Sequence, residues 1–371
     1  MKIALLCHPG IGGSARSALL LGRALAETGD TVYAMSTAVP AGMPPEHGMQ
    51  VRVAEVPGHP VLDKEPVTLA VAGALARLAR HEHIDVIHAH FALPWAAAGV
   101  MACELLGKRA PALVATLHGS DVFGIGAHPA YVETTRFALE RATAVTAVSA
   151  ALKDASRSEL GLDRDIEVVP NFVRTARAPR AAPAEKVPVL AHASTFRAVK
   201  RPADAVEVFA RVRHDRKAVL RLIGDGPELQ TAMARAKALG VADDVEATGA
   251  VSDIGPLLED VSILLSPSER EAFGLAALEA QALGVPVIGS AVDGLPEVIA
   301  HGVTGILHPP GDLDAMAASA RRLLGAPAER EAMGRAARAR VCERFDEARA
   351  VSRYRAVYAA AARRRLASTA A

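Results

Sequence analysis

With 371 residues, 51% of them hydrophobic, the chain is long enough to bury two cores. Its 42 Lys and Arg against 41 Asp and Glu leave a formal net charge of +1. That balance excludes a global field for nucleic acid or an anionic membrane, so any anionic ligand must be held by a local constellation.

The chain starts Met1-Lys2-Ile3-Ala4-Leu5-Leu6-Cys7-His8-Pro9-Gly10. This apolar run is too short for a signal peptide core or a membrane span, and it reads as a first β-strand. Runs rich in Val, Ile and Leu recur at residues 3–7, 31–35, 51–56, 86–89, 112–117, 144–148 and 167–169. Segments of helical length and periodicity lie between them, at 15–28, 67–81, 95–106, 131–141 and 150–160. The strands are continuously apolar rather than alternating, the pattern of a parallel sheet covered on both faces. Residues 174–186 hold Pro, Ala and charge with no apolar face, and read as an interdomain linker or surface loop.

The alternation then restarts. Strands are expected at 187–193, 218–223, 245–248, 262–266, 286–289 and 305–307, with helices including 202–213, 228–239, 276–283 and 315–324. The expected fold class is α/β: two Rossmann-like, doubly wound parallel-sheet domains, residues 1–173 and 174–349, facing a cleft. The terminal segment 346–371 is helical, rich in Arg and Ala, and can pack back on the first domain. No stretch of about 18 apolar residues lacks a charge or a breaker, so no integral membrane segment is expected. Cys7, Cys103 and Cys342 are far apart and show no metal-ligand spacing, which reads as reduced thiols of a cytoplasmic protein.

Four motifs can carry chemistry. Gly10-Ile11-Gly12-Gly13-Ser14 joins the first strand to the first helix. Gly12 and Gly13 there let backbone approach a ligand, and the helix start offers N–H groups to an anion; a plain turn is the alternative. The spacing is not that of a dinucleotide fingerprint. His118-Gly119-Ser120-Asp121 follows a buried strand, so His118 can donate to a sugar hydroxyl or orient an acceptor, with Asp121 capping a helix or positioning His118. Arg136 lies on a helix among apolar residues, where a surface arginine is the ordinary reading.

Phe196-Arg197-Ala198-Val199-Lys200-Arg201 sets three cations at a helix start, a place that disfavours them. Arg197 and Lys200 can neutralise a diphosphate, and do so most strongly as the leaving group gains charge. The strongest motif is Glu269-Arg270-Glu271-Ala272-Phe273-Gly274-Leu275-Ala276-Ala277-Leu278-Glu279. Glu271 and Glu279 accept hydroxyls, and the amides of Phe273, Gly274 and Leu275 lie between them. That matches a nucleotide sugar, with hydroxyls at both ends and a diphosphate in the middle. Gly224-Asp225-Gly226-Pro227-Glu228 shapes a turn, Val251 follows a strand where backbone can meet a base, and Gly294-Leu295-Pro296-Glu297 opens a helix. Asp163-Arg164-Asp165 and Asp312-Leu313-Asp314 read as surface turns rather than metal sites.

At these residues the chain resembles the family 4 glycosyltransferases, retaining enzymes of the GT-B architecture, over essentially its whole length. Glu271 and Glu279 match that family's signature of two glutamates with seven residues between them, and Gly224–Glu228 matches its turn. Within the family it is most similar to the branch that moves N-acetylglucosamine from UDP to L-malate in bacillithiol biosynthesis. The stretches that carry this are Pro9–Ser14, His118–Asp121, Thr135-Arg136-Phe137, Val145–Ser149, Pro170-Asn171-Phe172-Val173, Phe196–Arg201 and Glu271–Glu279.

The resemblance implies an acceptor-binding first domain, a donor-binding second domain, a UDP-GlcNAc donor, a small carboxylate acceptor, no metal and no other cofactor. It implies that Arg197 and Lys200 hold the diphosphate, Glu271 the transferred sugar and Glu279 the ribose. Gly12 and Gly13 would approach the reaction centre with His118 near the sugar. Ser14, Phe91, Ser120 and Arg136 would lie on the acceptor side. One departure stands at His90-Phe91-Ala92-Leu93-Pro94, where the branch carries tyrosine in place of Phe91. Other small acids, inositol phosphates and glycolipids are the alternative acceptors. A sugar-nucleotide epimerase and a non-enzymatic nucleotide-sugar sensor are the rival classes, and a homo-oligomer is left open.

Overall fold

A computed structural model describes residues 1–41, 48–58, 61, 64–175 and 187–370, without the side chains of 368–370. Most of the expected linker, 176–186, lies outside the described residues. The chain divides into two compact units, Met1–Asn171 with Glu347–Ala371, and Phe172–Asp346.

The first unit holds a seven-stranded sheet: β1 (Lys2–Leu6), β2 (Thr31–Ser36), β3 (Gln50–Val53), β4 (Val86–His90), β5 (Ala112–Leu117), β6 (Ala144–Ala147) and β7 (Ile166–Val168). Its order is β3-β2-β1-β4-β5-β6-β7, and every pairing is parallel. Ile3, Leu5, Ile87 and Leu113 are fully enclosed or nearly so. Each such side chain contributes about 1.5–3 kcal/mol on burial.

The second unit holds six strands: β8 (Val189–Ala193), β9 (Val219–Ile223), β10 (Val245–Ala247), β11 (Val261–Ser266), β12 (Val287–Ser290) and β13 (Gly305–His308). Their order is β10-β9-β8-β11-β12-β13, again all parallel. Its core gathers Leu190, Phe196, Phe209, Ile263, Ile288 and Ile306. Both units are the doubly wound α/β sheets that the apolar runs imply.

Helix Pro327–Arg344 was not expected from the sequence. Its buried residues are Arg330, Met333, Gly334, Ala337 and Val341, a narrow stripe on a helix whose other positions are mostly charged or alanine. A Cβ on Gly334 would lie 2.1 Å from the Gly284 carbonyl oxygen, so this helix packs too closely for a larger residue.

The terminal helix Glu347–Ala370 belongs to the first unit. Arg355 Nη2 donates to Asp30 at 2.7 Å and to the Thr28 carbonyl at 2.9 Å. The Arg365 guanidinium reaches the carbonyls of Gly107 and Ala110 at 2.7 and 3.1 Å. Among the described residues no helix is long and apolar enough to cross a membrane.

Candidate active site

In an open parallel sheet, ligands bind beyond the carboxyl ends of the strands where the order reverses. In the second unit that point lies between β8 and β11. β8 runs into Ser194–Lys200 and β11 into Ser266–Gly274, so the fold brings the cationic motif and the two-glutamate motif to one edge. Lys200 Nζ meets Glu271 Oε2 at 2.6 Å, with each side chain 15% exposed. Ser268 Oγ stands 3.5 Å from the same oxygen.

The loops around that pair are tied to one another. The Glu269 amide donates to the Val199 carbonyl at 2.8 Å. The Asp293 carboxylate, after β12, accepts from the Glu271 amide at 2.9 Å and from Arg270 Nε at 3.1 Å. The Gly294 amide returns a bond to the Glu271 carbonyl at 2.9 Å. Asp293 thus fixes the backbone that carries Glu271, a role not read from the sequence.

Burial drives the pKa of His192 down to about 4, so it is neutral at pH 7. Its Nδ1 lies 3.0 Å from the Leu265 carbonyl and must donate there. Its Nε2 then accepts from the Ser194 hydroxyl at 3.0 Å, and Ser194 Oγ accepts the Phe196 amide at 3.1 Å. This relay seats the loop that leads to Arg197, an exposed residue just before the turn Ala198–Lys200.

The glycines of the turn after β9 are required sterically. Gly224 has φ +120°, and a Cβ there would fall 2.0 Å from the Ser194 carbonyl oxygen. Gly226 has φ +153° and the same conflict with Thr195, at 2.1 Å. Only glycine lets this turn lie under the cationic loop.

Gly274 caps helix Leu275–Ala282, whose second turn carries the largely buried Glu279. The Phe273 ring is buried against Phe345, 5.8 Å between centroids, so what this residue offers a ligand is its backbone. Leu275 is half-buried at the helix start. Val251 is half-buried in the loop after Gly249, whose carbonyl accepts the Gly224 amide at 3.0 Å.

In the first unit the order reverses between β1 and β4. β1 leads into Gly10–Ser14, β4 into His90 and Phe91, and its neighbour β5 into His118–Asp121. Gly12 caps helix Gly13–Glu27 in an extended conformation (φ 169°), with nothing within 4 Å of a Cβ placed on it. Neither backbone nor space demands glycine at Gly12, in contrast with Gly224. Ser14 and Ser120, the latter opening the helix Ser120–Phe123, are half-buried.

Asp121 is enclosed, and its Oδ1 accepts the amides of His118 at 3.0 Å and Gly119 at 2.8 Å. Burial raises its carboxyl to about 6 against the pull of those amides. It positions the His118 turn through the backbone. Phe91 adopts φ 94°, a conformation that a bulky residue rarely takes. Its ring centroid lies 5.5 Å from that of His118.

His90 Nδ1 and His118 Nε2 are 2.9 Å apart, with the two rings stacked. His88 Nε2 bonds the Thr116 hydroxyl at 2.7 Å, and His88 Nδ1 meets Tyr358 of the terminal helix at 2.8 Å. His88 and His90 were missed as a pair. Their spacing of two on a strand puts both side chains on one face of the sheet, which was the available signal.

Arg136 lies on the helix Val132–Arg141. Its Nε donates to the Leu160 carbonyl at 2.8 Å, at the end of helix Ala150–Leu160, and its Nη1 faces Glu133 at 3.3 Å. Asp312 caps helix Leu313–Gly325 by accepting the Ala315 amide, and Asp314 pairs with Arg211 at 2.9 Å. Asp163 and Asp165 are exposed. Among the described residues no group of three or more His, Cys, Asp or Glu side chains is placed to hold a metal ion.

Each of the two parallel α/β units thus presents its motifs at a switch-point edge, a lysine–glutamate pair beside a glycine-capped helix in one and a histidine turn in the other. Residues 11–177 match the model of Glycosyltransferase Family 4, and residues 174–340 that of Glycosyl transferases group 1. The chain is 35% identical over 368 residues to the N-acetyl-alpha-D-glucosaminyl L-malate synthase of Bacillus anthracis, covering 96% of each chain. It belongs to the family 4 glycosyltransferases. A second relative is the 2-deoxystreptamine N-acetyl-D-glucosaminyltransferase of Streptomyces fradiae, 30% identical over 357 residues, 84% of this chain and 82% of that one.

Solved structures share the fold. Anabaena HepE in complex with UDP-glucose superposes with a TM-score of 0.80 at 20% identity, over 97% of this chain and 99% of that one. Sucrose-phosphate synthase from Thermosynechococcus elongatus gives 0.80 at 22%, over 97% of this chain and 100% of that one.

Proposed function

We propose that this glycosyltransferase moves N-acetylglucosamine from UDP-GlcNAc to the hydroxyl of L-malate, the first step of bacillithiol biosynthesis, with retention of anomeric configuration and without a metal. The observation that carries this reading is 35% identity to a malate-using enzyme along 96% of both chains.

The second unit is the donor side in this reading. Arg197 and Lys200 hold the diphosphate, and Glu271 and Glu279 take sugar and ribose hydroxyls. The amides of Phe273, Gly274 and Leu275 lie between the two glutamates, with Val251 toward the base. In the first unit Gly12, Gly13 and His118 address the sugar, and Ser14, Phe91, Ser120 and Arg136 the acceptor.

The bond from the anomeric carbon to the β-phosphate oxygen breaks, and a bond to the malate hydroxyl oxygen forms on the same face. The hydroxyl proton passes to the departing phosphate. Charge grows on that phosphate as the bond lengthens, so a fixed lysine stabilises the transition state more than the ground state. No enzymic nucleophile takes part.

A second reading keeps the donor and changes the acceptor. It is favoured by Phe91, which brings no hydroxyl to the acceptor side. UDP release from UDP-GlcNAc, with EDTA present, separates the two when L-malate, inositol 1-phosphate, 2-deoxystreptamine and no acceptor are compared. Release that depends on malate is expected. Release with another acceptor alone rejects malate and keeps the transferase. Release equal in all four rejects acceptor transfer and favours epimerase-like or hydrolytic turnover.

A further inference from the structure

His90 is enclosed, at 2% exposure, and its Nε2 has no hydrogen-bond partner among the described residues. Its other nitrogen, Nδ1, lies 2.9 Å from His118 Nε2. Burial holds both imidazoles well below the usual histidine range, so both are neutral at pH 7. A neutral imidazole carries one N–H and one lone pair. One ring must therefore donate to the other, and each choice fixes what is left over.

If His118 donated through Nε2, the His90 proton would sit on Nε2 as a buried N–H with nothing to receive it. If His90 donates through Nδ1, its Nε2 keeps only an unmet lone pair. Among backbone groups an orphaned buried N–H is rarer than an unmet acceptor, and the same preference carried over to the imidazole selects the second arrangement. His118 is then protonated on Nδ1. That nitrogen has no partner among the described residues, and the residue is half-buried at the switch-point edge.

We infer that His90 is a positioning residue that fixes the tautomer of His118, making its open nitrogen a hydrogen-bond donor rather than a base. An oxygen of the transferred sugar or of the acceptor is the group it addresses. This rests on the reading of His118 as lying beside the transferred sugar. It also fits a phosphate-assisted transfer, in which no side chain has to take the acceptor proton. The arrangement follows the logic by which a second residue sets the tautomer of a catalytic histidine.

The first test needs no substrate. Long-range proton–nitrogen NMR of the full chain labelled with 15N-histidine reads which ring nitrogen bears the proton, and His118→Gln identifies the His118 signals. The proton is expected on Nδ1. A proton on Nε2 overturns the inference.

The second test is kinetic, with UDP-GlcNAc and whichever acceptor is active. His90→Leu is expected to lower kcat by roughly 10-fold to 100-fold with KM little changed, as when a partner behind a metal-bound histidine is lost. His90→Asn, whose amide N–H replaces Nδ1–H, should recover most of that loss. Equal impairment of the two variants, with the fluorescence of the single tryptophan, Trp95, unchanged, overturns the positioning role. A wild-type enzyme with His118 protonated on Nδ1 but no sugar transfer would reject the proposed function and leave the histidine pair standing.

Discussion

Lys200→Ala is expected to lower kcat by roughly 100-fold to 1,000-fold while the KM for UDP-GlcNAc changes little. The warrant is where charge develops. Lys200 is mostly enclosed and 2.6 Å from Glu271, so it acts in a medium where fixed charge is worth more than in water. Its contribution grows as the phosphate departs, which places the loss in kcat.

Glu271→Gln should also cost activity, because the amide keeps the shape but presents an N–H where a carboxylate oxygen stood. The double variant should lose less than the sum of the two single losses, since either change already breaks the pair. Steady-state kinetics of the three variants decide the matter. A raised KM with unchanged kcat would show that Lys200 binds ground state and transition state alike.

The first unit is expected to lose stability as pH falls from 7 to 5. Burial lowers His88 and His118 to about 3 and holds His90 well below its ordinary range. A histidine depressed in the folded state contributes stability that is present above its unfolded pKa, near 6.5, and lost as pH falls toward its folded value.

Asp121 works the other way. Raised to about 6, it contributes stability that is present below its unfolded value and lost as pH rises through about 6. Near pH 5 the three histidines therefore outweigh the one aspartate. Unfolding takes up protons net, so stability falls as pH falls. Trp95 is the only tryptophan and is buried in this unit, so urea denaturation followed by its fluorescence at pH 7, 6 and 5 reads the effect. A midpoint that does not fall over that range would mean that these imidazoles are not held neutral by burial.

The thirteen strands among the described residues were legible because most are short apolar runs bounded by turn residues, while β3, β7, β9 and β10 each carry one or more polar or charged positions and were marked by their place in the strand–helix alternation. The long helix Pro327–Arg344 was not, because its buried face of Met333, Gly334, Ala337 and Val341 is narrow and interrupted by Arg330. The motifs around Lys200 and Glu271 were legible for a chemical reason, since cations at a helix start and paired acceptors oppose ordinary local preference. Their pairing was not, for it depends on β8 and β11 being neighbours in the sheet though far apart in sequence.

The support behind the first-unit turn was hidden in the same way. His88, His90 and Tyr358 meet only because the terminal helix returns to a strand 270 residues earlier in the chain. The contact of Arg136 was hidden likewise, for its Nε meets the carbonyl end of another helix, 24 residues on in the chain.

What the enzyme makes from UDP-GlcNAc and L-malate decides between transfer to malate and its rivals. The product should be characterised by NMR at its anomeric carbon, with UDP measured alongside. An α-linked N-acetylglucosaminyl malate, formed in equal amount with UDP and with EDTA present, is the predicted result. A β-linked product, or free N-acetylglucosamine with no malate attached, would contradict it.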